Sequence, residues 1–382
     1  MEQIKLGIIG CGNISEAYLK GGARSQLVAV KAVTDLNPEA AKARAEAYGV
    51  AAVPMEELLA DPEISILINL TVPLAHAEVS HRVVAAGKHV YSEKPFAATF
   101  AEARELTAAA AARGVRIGSA PDTFLGAGHQ AVRAAIDAGR IGRVVGGAVC
   151  FAGPGMESWH PNPSFFFKRG GGPVLDIGGY PITQLVNCLG PVESVTAHAS
   201  RAQATRTVTS EPRRGEVIEV EVPTTVNGVL AFTNGANVAV TMSWDIWKHA
   251  RLPIELYGTT GSLLNPDPNF FGGSVRVSDR SGDWQELPIE AHPFGRPNRK
   301  TNAGADVADY RMVGVLDMAC AIAEGRPHRA SGELALHVLE VMEALERSSV
   351  EGRQIRIETS CERPQPVPLG AGEEVFLTSA DG

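Results

Sequence analysis

Lys94 ends the stretch His89-Val90-Tyr91-Ser92-Glu93 and is followed by Pro95. A lysine at the tip of a buried strand brings an ammonium to the rim of a crevice, where it can donate to a hydroxyl and ease that hydroxyl's deprotonation. Pro95 restricts Lys94 to extended backbone and is a position for a cis peptide bond, which would fix the aim of the side chain. Farther along, Gly170-Gly171-Gly172 leads through Pro173-Val174-Leu175 to Asp176, and Ile177-Gly178-Gly179 leads on to Tyr180. The pattern predicts one helix over about residues 175–189. Asp176 and Tyr180 lie four apart on it and share a face, so both can point at one substrate. A phenol is a weak base at its ordinary pKa of about 10, but a cation within about 4–6 Å lowers such a value by one to three units. Lys94 is a candidate for that cation. An ammonium, a carboxylate and a phenol around one pocket are equipped to move a proton to or from an alcohol oxygen.

Each of these residues also has a plain structural reading. Lys94 can be a solvated strand end, Asp176 a carboxylate answering a helix dipole, and Tyr180 ordinary helix packing. Two histidines keep the identity of the base open. His160 lies in Ser158-Trp159-His160-Pro161, ahead of the glycine run, and His249 follows Trp244-Asp245-Ile246-Trp247-Lys248. Trp159, Phe165, Phe166, Phe167, Lys168 and Arg169 form either an apolar wall with hydrogen-bonding edges, as a sugar ring requires, or core beneath a long loop. Trp159, His160, Lys168 and His249 are therefore candidate substrate contacts alongside Asp176 and Tyr180.

The elements that position these groups begin at the first residues. Leu6 to Ile9 is a short apolar run of the kind a fully buried parallel strand makes, and it ends in Gly10-Cys11-Gly12-Asn13-Ile14-Ser15. Gly10 permits a tight turn, and Gly12 lets a pyrophosphate approach the backbone. The helix that starts near Asn13-Ile14 aims its unpaired N–H groups at that anion. Ser15 stands where a third Gly or Ala is usual. The next strand ends at Asp35, 23 positions after Gly12, near the spacing of a carboxylate that accepts from an adenosine ribose; the alternative is a cap on the helix starting at Pro38. The charge of Asp35 repels a 2′-phosphate, and Leu36-Asn37 offer no arginine, so NAD is expected rather than NADP. Thr71, Pro73, Glu93 and Lys94 also fall at strand ends and converge on the same crevice.

Up to about residue 120, strands and helices alternate, which predicts an α/β fold with an N-terminal doubly wound parallel sheet of the Rossmann type, residues 1–120. From 121 to 360 the texture changes to a C-terminal α/β domain with a large, mostly antiparallel open sheet, with Asn227-Gly228, Asn234-Gly235 and Thr260-Gly261 as turn signals. Helices are expected over 307–324 and 332–348, and 361–382 as an extended or mobile tail. A one-sided sheet must bury its other face, so a homodimer or homotetramer through that sheet is expected. The net charge of −8 argues against nucleic-acid partners, and no membrane-length apolar stretch or signal peptide is read. The five cysteines are scattered without CxxC pairs, which suits the cytoplasm and gives no zinc site.

Gly7-Ile8-Ile9-Gly10-Cys11-Gly12-Asn13-Ile14-Ser15, Glu93-Lys94-Pro95 and Gly170 through Tyr180, in that order, resemble the Gfo/Idh/MocA family of oxidoreductases, named for glucose–fructose oxidoreductase and inositol dehydrogenase. The resemblance runs from the first strand to about residue 350. It implies that Lys94 is part of the catalytic machinery, with Asp176 beside the proton acceptor. The family often has histidine where this chain has Tyr180; members similar to the glucose–fructose and dihydrodiol enzymes have tyrosine. His76 resembles the residue near the ribose and diphosphate of the cofactor. The implied activity is an NAD-dependent dehydrogenase oxidising a secondary hydroxyl of a sugar, glycoside, polyol or cyclitol by hydride transfer. Relatives that retain NAD and hydrolyse glycosides by transient oxidation and elimination, and non-catalytic NAD or sugar sensors of the same fold, are the alternatives.

Overall fold

The computed structural model describes residues 3–301 and 304–370. Six parallel strands form the first sheet: β1 (Ile4–Ile9), β2 (Val28–Thr34), β3 (Ala51–Ala52), β4 (Ile64–Asn69), β5 (His89–Ser92) and β6 (Ile117–Ser119). Their order is β3-β2-β1-β4-β5-β6, and Ile8 pairs with Val33 on one side and Ile68 on the other. Between them run α1 (Ser15–Arg24), α2 (Pro38–Tyr48), α3 (Met55–Ala60), α4 (His76–Ala85) and α5 (Phe100–Arg113). Local chemistry sets several of these limits. Pro38 opens α2, Asn37 Oδ1 accepts from the Glu39 amide at 3.1 Å, and Gly49 closes the helix at φ 65°. Thr99 and Glu102 form a reciprocal cap on α5. The strand order reverses between β1 and β4, so a crevice opens at the carboxyl ends of those strands.

After α6 (Ala127–Asp137) and β7 (Val144–Ala152) come α7 (Pro173–Ile177) and α8 (Gly179–Leu189), then β8 (Val192–Ser200), β9 (Thr205–Thr207), β10 (Val217–Glu219), β11 (Thr225–Phe232) and β12 (Asn237–Ser243). The chain continues through β13 (Ile254–Gly258), β14 (Ser262–Asn265), β15 (Val275–Ser278), β16 (Trp284–Leu287), β17 (Arg299–Lys300) and β18 (Asp306–Val307) to α9 (Val313–Glu324), α10 (Gly332–Glu351) and β19 (Ile355–Arg356). Nine strands make the second sheet, in the order β16-β15-β14-β13-β7-β12-β11-β8-β19. Its pairs are antiparallel except β7 with β12. Helix α10 lies over β8 and β11, where Val195, Leu230 and Leu345 are fully buried. The opposite face leaves Val145, Val229 and Tyr257 exposed.

Four expectations change. The helix over 175–189 is two helices, because Pro181 has no N–H to bond the Ile177 carbonyl and Gly178-Gly179 are weak helix formers. Asn227-Gly228 is not a turn but lies inside β11. A Cβ on Gly228 would come 2.9 Å from Leu345 Cδ2, so this glycine admits α10 rather than reversing the chain. The helix expected from 307 begins at Val313, after Met312 at φ 97°. Finally, part of the tail is docked: Val367 is buried, its amide donates to Gln130 Oε1 at 2.8 Å, and Arg133 donates to the Pro364 carbonyl at 3.1 Å. Residues 371–382 lie outside the described residues.

Candidate active site

The crevice has a backbone wall and a side-chain wall. On the first, Gly10 adopts φ 101°, and a Cβ there would lie 2.6 Å from the Leu70 carbonyl oxygen, so only glycine fits the turn. Gly12 faces open space, with nothing within 4 Å of an added Cβ. Helix α1 follows with Ile14 at its cap position and no side chain answering its first amides. Asp35 projects from the end of β2. Its Oδ2 accepts from the Cys11 amide at 2.7 Å and its Oδ1 from the Asn37 amide at 2.8 Å, which fixes the carboxylate while leaving lone pairs for further donors. These groups could hold a dinucleotide: an open glycine able to face a pyrophosphate, a helix start with no side-chain cap beside Asn13 and Ile14, and a held carboxylate able to accept from a ribose. Arg44, from α2, reaches over it, 3.5 Å from the Gly12 carbonyl and 3.5 Å from Glu16.

The strand ends next to it are bracketed together. Asn69 Oδ1 accepts from the Thr71 amide and hydroxyl at 3.2 and 2.7 Å. The buried His76 ring sets Nε2 3.0 Å from the Thr71 carbonyl and Nδ1 2.7 Å from that of Pro95, so it ties the Thr71–Pro73 turn to the turn after Lys94. Burial lowers its pKa, opposed by those two backbone acceptors. Glu93, also buried, accepts from the Tyr18 hydroxyl of α1 at 2.9 Å and from the Lys94 amide at 3.0 Å.

On the side-chain wall, Lys94 Nζ donates to Asp176 Oδ1 at 2.9 Å and to the Asp176 carbonyl at 2.7 Å, across 82 positions of sequence. The same ammonium lies 5.4 Å from the centroid of the Tyr180 ring. The Lys94–Pro95 peptide is cis. Lys94 and Asp176 keep 21 % and 22 % of their side-chain surfaces open, enough for a substrate oxygen to join them. Burial pulls the Lys94 ammonium pKa down, and Asp176, Tyr180 and Glu93 more than offset it, so the net shift is upward. Asp176 ends up one short helix before Tyr180, yet both still meet Lys94.

Sequence reasoning missed Arg311. Its Nη1 lies 3.3 Å from the Tyr180 hydroxyl and its Cζ 5.9 Å from the ring centroid, while Asn269 and Asp309 hold the rest of the guanidinium. A single arginine leading into the apolar Met312–Leu316 stretch was the available signal, since a buried charge needs a partner.

The other candidates sit apart. The His160 ring stacks edge-on with Trp159, Phe165 and Phe166 at centroid distances of 5.4, 5.6 and 5.1 Å. Phe166 and Phe167 pack beneath the loop against Trp244 and are core, whereas Trp159 and Phe165 are exposed by 59 % and 47 % and form the available apolar surface. Lys168 pairs with Glu221 at 2.8 Å. His249 is exposed, its Nε2 3.2 Å from the Ala152 carbonyl at the end of β7. Among the described residues, no hydrogen bond or ring contact joins His160, Lys168 or His249 to Lys94, Asp176 or Tyr180. The loop does approach the backbone wall: a Cβ on Gly170 would lie 3.3 Å from Leu74 Cδ2.

Comparison with known proteins matches residues 4–120 to the oxidoreductase family with an NAD-binding Rossmann fold, and residues 129–264 to the GFO/IDH/MocA C-terminal domain. The chain belongs to the GFO/IDH/MocA family. This GFO/IDH/MocA protein is an NAD-dependent oxidoreductase, and its cofactor is NAD. It is 30 % identical over 293 residues to a 1,5-anhydro-D-fructose reductase of Ensifer adhaerens, covering 74 % of this chain and 82 % of that one. It is 26 % identical over 359 residues to an inositol 2-dehydrogenase of Rhizobium meliloti, covering 93 % and 99 %. The fold superposes on levoglucosan dehydrogenase in complex with NADH and levoglucosan with a TM-score of 0.81 at 21 % identity, over 94 % of this chain and 100 % of that one. Among the described residues, no helix is long and apolar enough to cross a membrane, and no group of three or more His, Cys, Asp or Glu gathers as a metal site.

Proposed function

We propose that this GFO/IDH/MocA oxidoreductase oxidises a secondary hydroxyl of a sugar, glycoside, polyol or cyclitol. The observation that carries the reading is the meeting of the Lys94 ammonium with Asp176 at 2.9 Å and with the Tyr180 ring at 5.4 Å. The substrate hydroxyl enters beside Lys94, which donates to its oxygen and stabilises charge as the proton leaves. Asp176 keeps Lys94 charged and aimed, and Tyr180 takes the proton. NAD, when bound, accepts the hydride at its nicotinamide ring. Gly10, Gly12, Asn13, Ile14 and Asp35 would hold its adenosine and pyrophosphate, and Thr71, Pro73, His76 and Glu93 would shape the strand ends beside it. Trp159 and Phe165 offer apolar faces for the C–H side of a pyranose, with His160, Lys168 and His249 as outer polar contacts.

Relatives named for an anhydro-fructose, an inositol and levoglucosan support this substrate class. The test is to incubate the enzyme with NAD and a panel of sugars, glycosides and cyclitols and to follow NADH. Net NADH formation with at least one of them is expected. NAD binding without turnover of any would overturn the reading in favour of a sensor, and aglycone release without net NADH would point to an NAD-retaining hydrolase.

We further propose a homodimer or homotetramer through the open face of the nine-stranded sheet, where Val145, Val229 and Tyr257 are exposed. Light scattering giving the mass of a single chain at micromolar concentration would contradict it. The five cysteines are all unpaired, which supports a reducing compartment such as the cytoplasm.

A further inference from the structure

Arg311 lies outside every motif of the sequence, yet its buried guanidinium reaches the phenol of Tyr180. Its other partners do not account for its place. Asp309, 3.4 Å from Arg311 Nε, is held more closely by Arg299 Nε at 2.8 Å, and Asn269 is neutral. The backbone beside Arg311 is also constrained. Met312 adopts φ 97°, a left-handed conformation that costs free energy in a non-glycine residue and persists only where its surroundings enforce it. Asp122 enforces it, accepting from the Met312 amide at 3.1 Å and the Gly314 amide at 2.9 Å. A buried cation thus reaches the phenol oxygen from a segment whose backbone Asp122 holds in a strained conformation, and Lys94 lies over the same ring.

We propose that Arg311 is a positioning residue for proton transfer at Tyr180: Nη1 donates to the phenol oxygen, keeps it turned to the crevice and favours negative charge on it. This rests on the dehydrogenase reading above. In that reaction the substrate O–H bond breaks and its proton forms the Tyr180 O–H bond. The C–H electron pair leaves as hydride to NAD, so the alcohol is oxidised to a carbonyl and NAD is reduced to NADH. Tyr180 then returns the proton to water. Arg311 neither gives nor takes it. The charged and titratable groups around the phenol are Lys94 from the end of β5, Asp176 from α7 and Arg311 ahead of α9, with Asp309, Glu93 and Asp122 behind the guanidinium.

The variants Arg311→Gln and Arg311→Lys test this. Arg311→Gln is expected to lower kcat by about tenfold to a hundredfold with KM for the sugar nearly unchanged, and to move the acid limb of the kcat–pH profile upward by about one unit. Arg311→Lys, which keeps the charge, should recover much of both. A substrate-free readout is the ultraviolet difference titration of tyrosinate, each protein against its own Tyr180→Phe counterpart; the midpoint should rise in Arg311→Gln and rise less in Arg311→Lys. Asn269→Ala removes the Oδ1 acceptor of Arg311 Nη2 and leaves only the Asn269 carbonyl at 3.4 Å; without touching Tyr180 it should move the midpoint the same way by a smaller amount, and it keeps the test decisive if Arg311→Gln does not fold. Midpoints that stay put in folded variants overturn the proposal. A shifted midpoint in an enzyme that oxidises no sugar supports the Arg311–Tyr180 coupling and overturns the dehydrogenase reading instead.

Discussion

The two walls of the crevice are built on opposite plans. The wall formed by Gly10, Gly12 and Asp35 works through main chain: a turn that excludes side chains, a helix start with no side-chain cap and a carboxylate clamped by two backbone N–H groups. The wall formed by Lys94, Asp176, Tyr180 and Arg311 works through side chains drawn from four separate segments. Main-chain recognition is specified within some thirty residues and tolerates change elsewhere. A convergent cluster depends on the whole topology, and each member is held by the others. The first wall should therefore set affinity for the cofactor and the second should set turnover.

The largest effect should come from breaking the second wall. Lys94→Met is expected to reduce kcat by about a thousandfold, since it removes the proposed donor to the reacting oxygen, while NAD affinity followed by fluorescence stays within a few-fold. A loss of both together would erase the distinction between the walls.

Next comes a control that belongs to neither. His129 is fully buried beneath β14, its Nε2 donating to the Phe270 carbonyl at 2.7 Å and its Nδ1 facing the Asn265 amide at 3.3 Å. Burial lowers its pKa to about 4. The unfolded chain takes up this proton once the pH falls below about 6.5, whereas the folded protein does not until about 4. His129 therefore contributes full stability above about pH 6.5, and roughly 3 kcal/mol of it is lost as the pH falls towards 4. Denaturant titrations at neutral and mildly acidic pH should show that slope, and His129→Gln should flatten it while leaving kcat at neutral pH nearly intact.

The first wall should then respond in binding alone. On the proposed reading Asp35 accepts from the ribose, so Asp35→Ala should raise the Kd for NAD by about tenfold to a hundredfold, with kcat at saturating NAD little changed. The same variant should narrow the preference for NAD over NADP, because Arg44 remains over the cradle. The smallest effect is expected from Trp159→Ala, which should raise the sugar KM by only a few-fold, as the loss of one exposed stacking face implies.

The contrast between the walls also explains what could be read from the sequence. The start of helix α2 was legible because Pro38 acts on its own neighbours, whereas its cap is Asn37 and not Asp35. Gly10, Gly12 and Asp35 were legible for the same reason. Lys94 and Asp176 were legible as separate motifs, and their 2.9 Å contact became visible only in the folded chain. Arg311 was legible only as a charge in need of a partner; its placement beside Tyr180 depends on Asp122 capping residues 190 and 192 positions away. Gly228 misled because the dipeptide Asn-Gly favours a turn locally, whereas its actual use is set by α10, over a hundred residues later. Strands as short as β9, β17 and β18 carry too few residues for any periodicity.

The most direct measurement of the central claim is a crystal structure with NAD and an oxidisable sugar alcohol bound. The account predicts one substrate hydroxyl within hydrogen-bond reach, about 3 Å, of both Lys94 Nζ and the Tyr180 oxygen, with its carbon facing the nicotinamide. A reacting hydroxyl seated instead against His160 or His249, remote from the Lys94 ammonium, would contradict it.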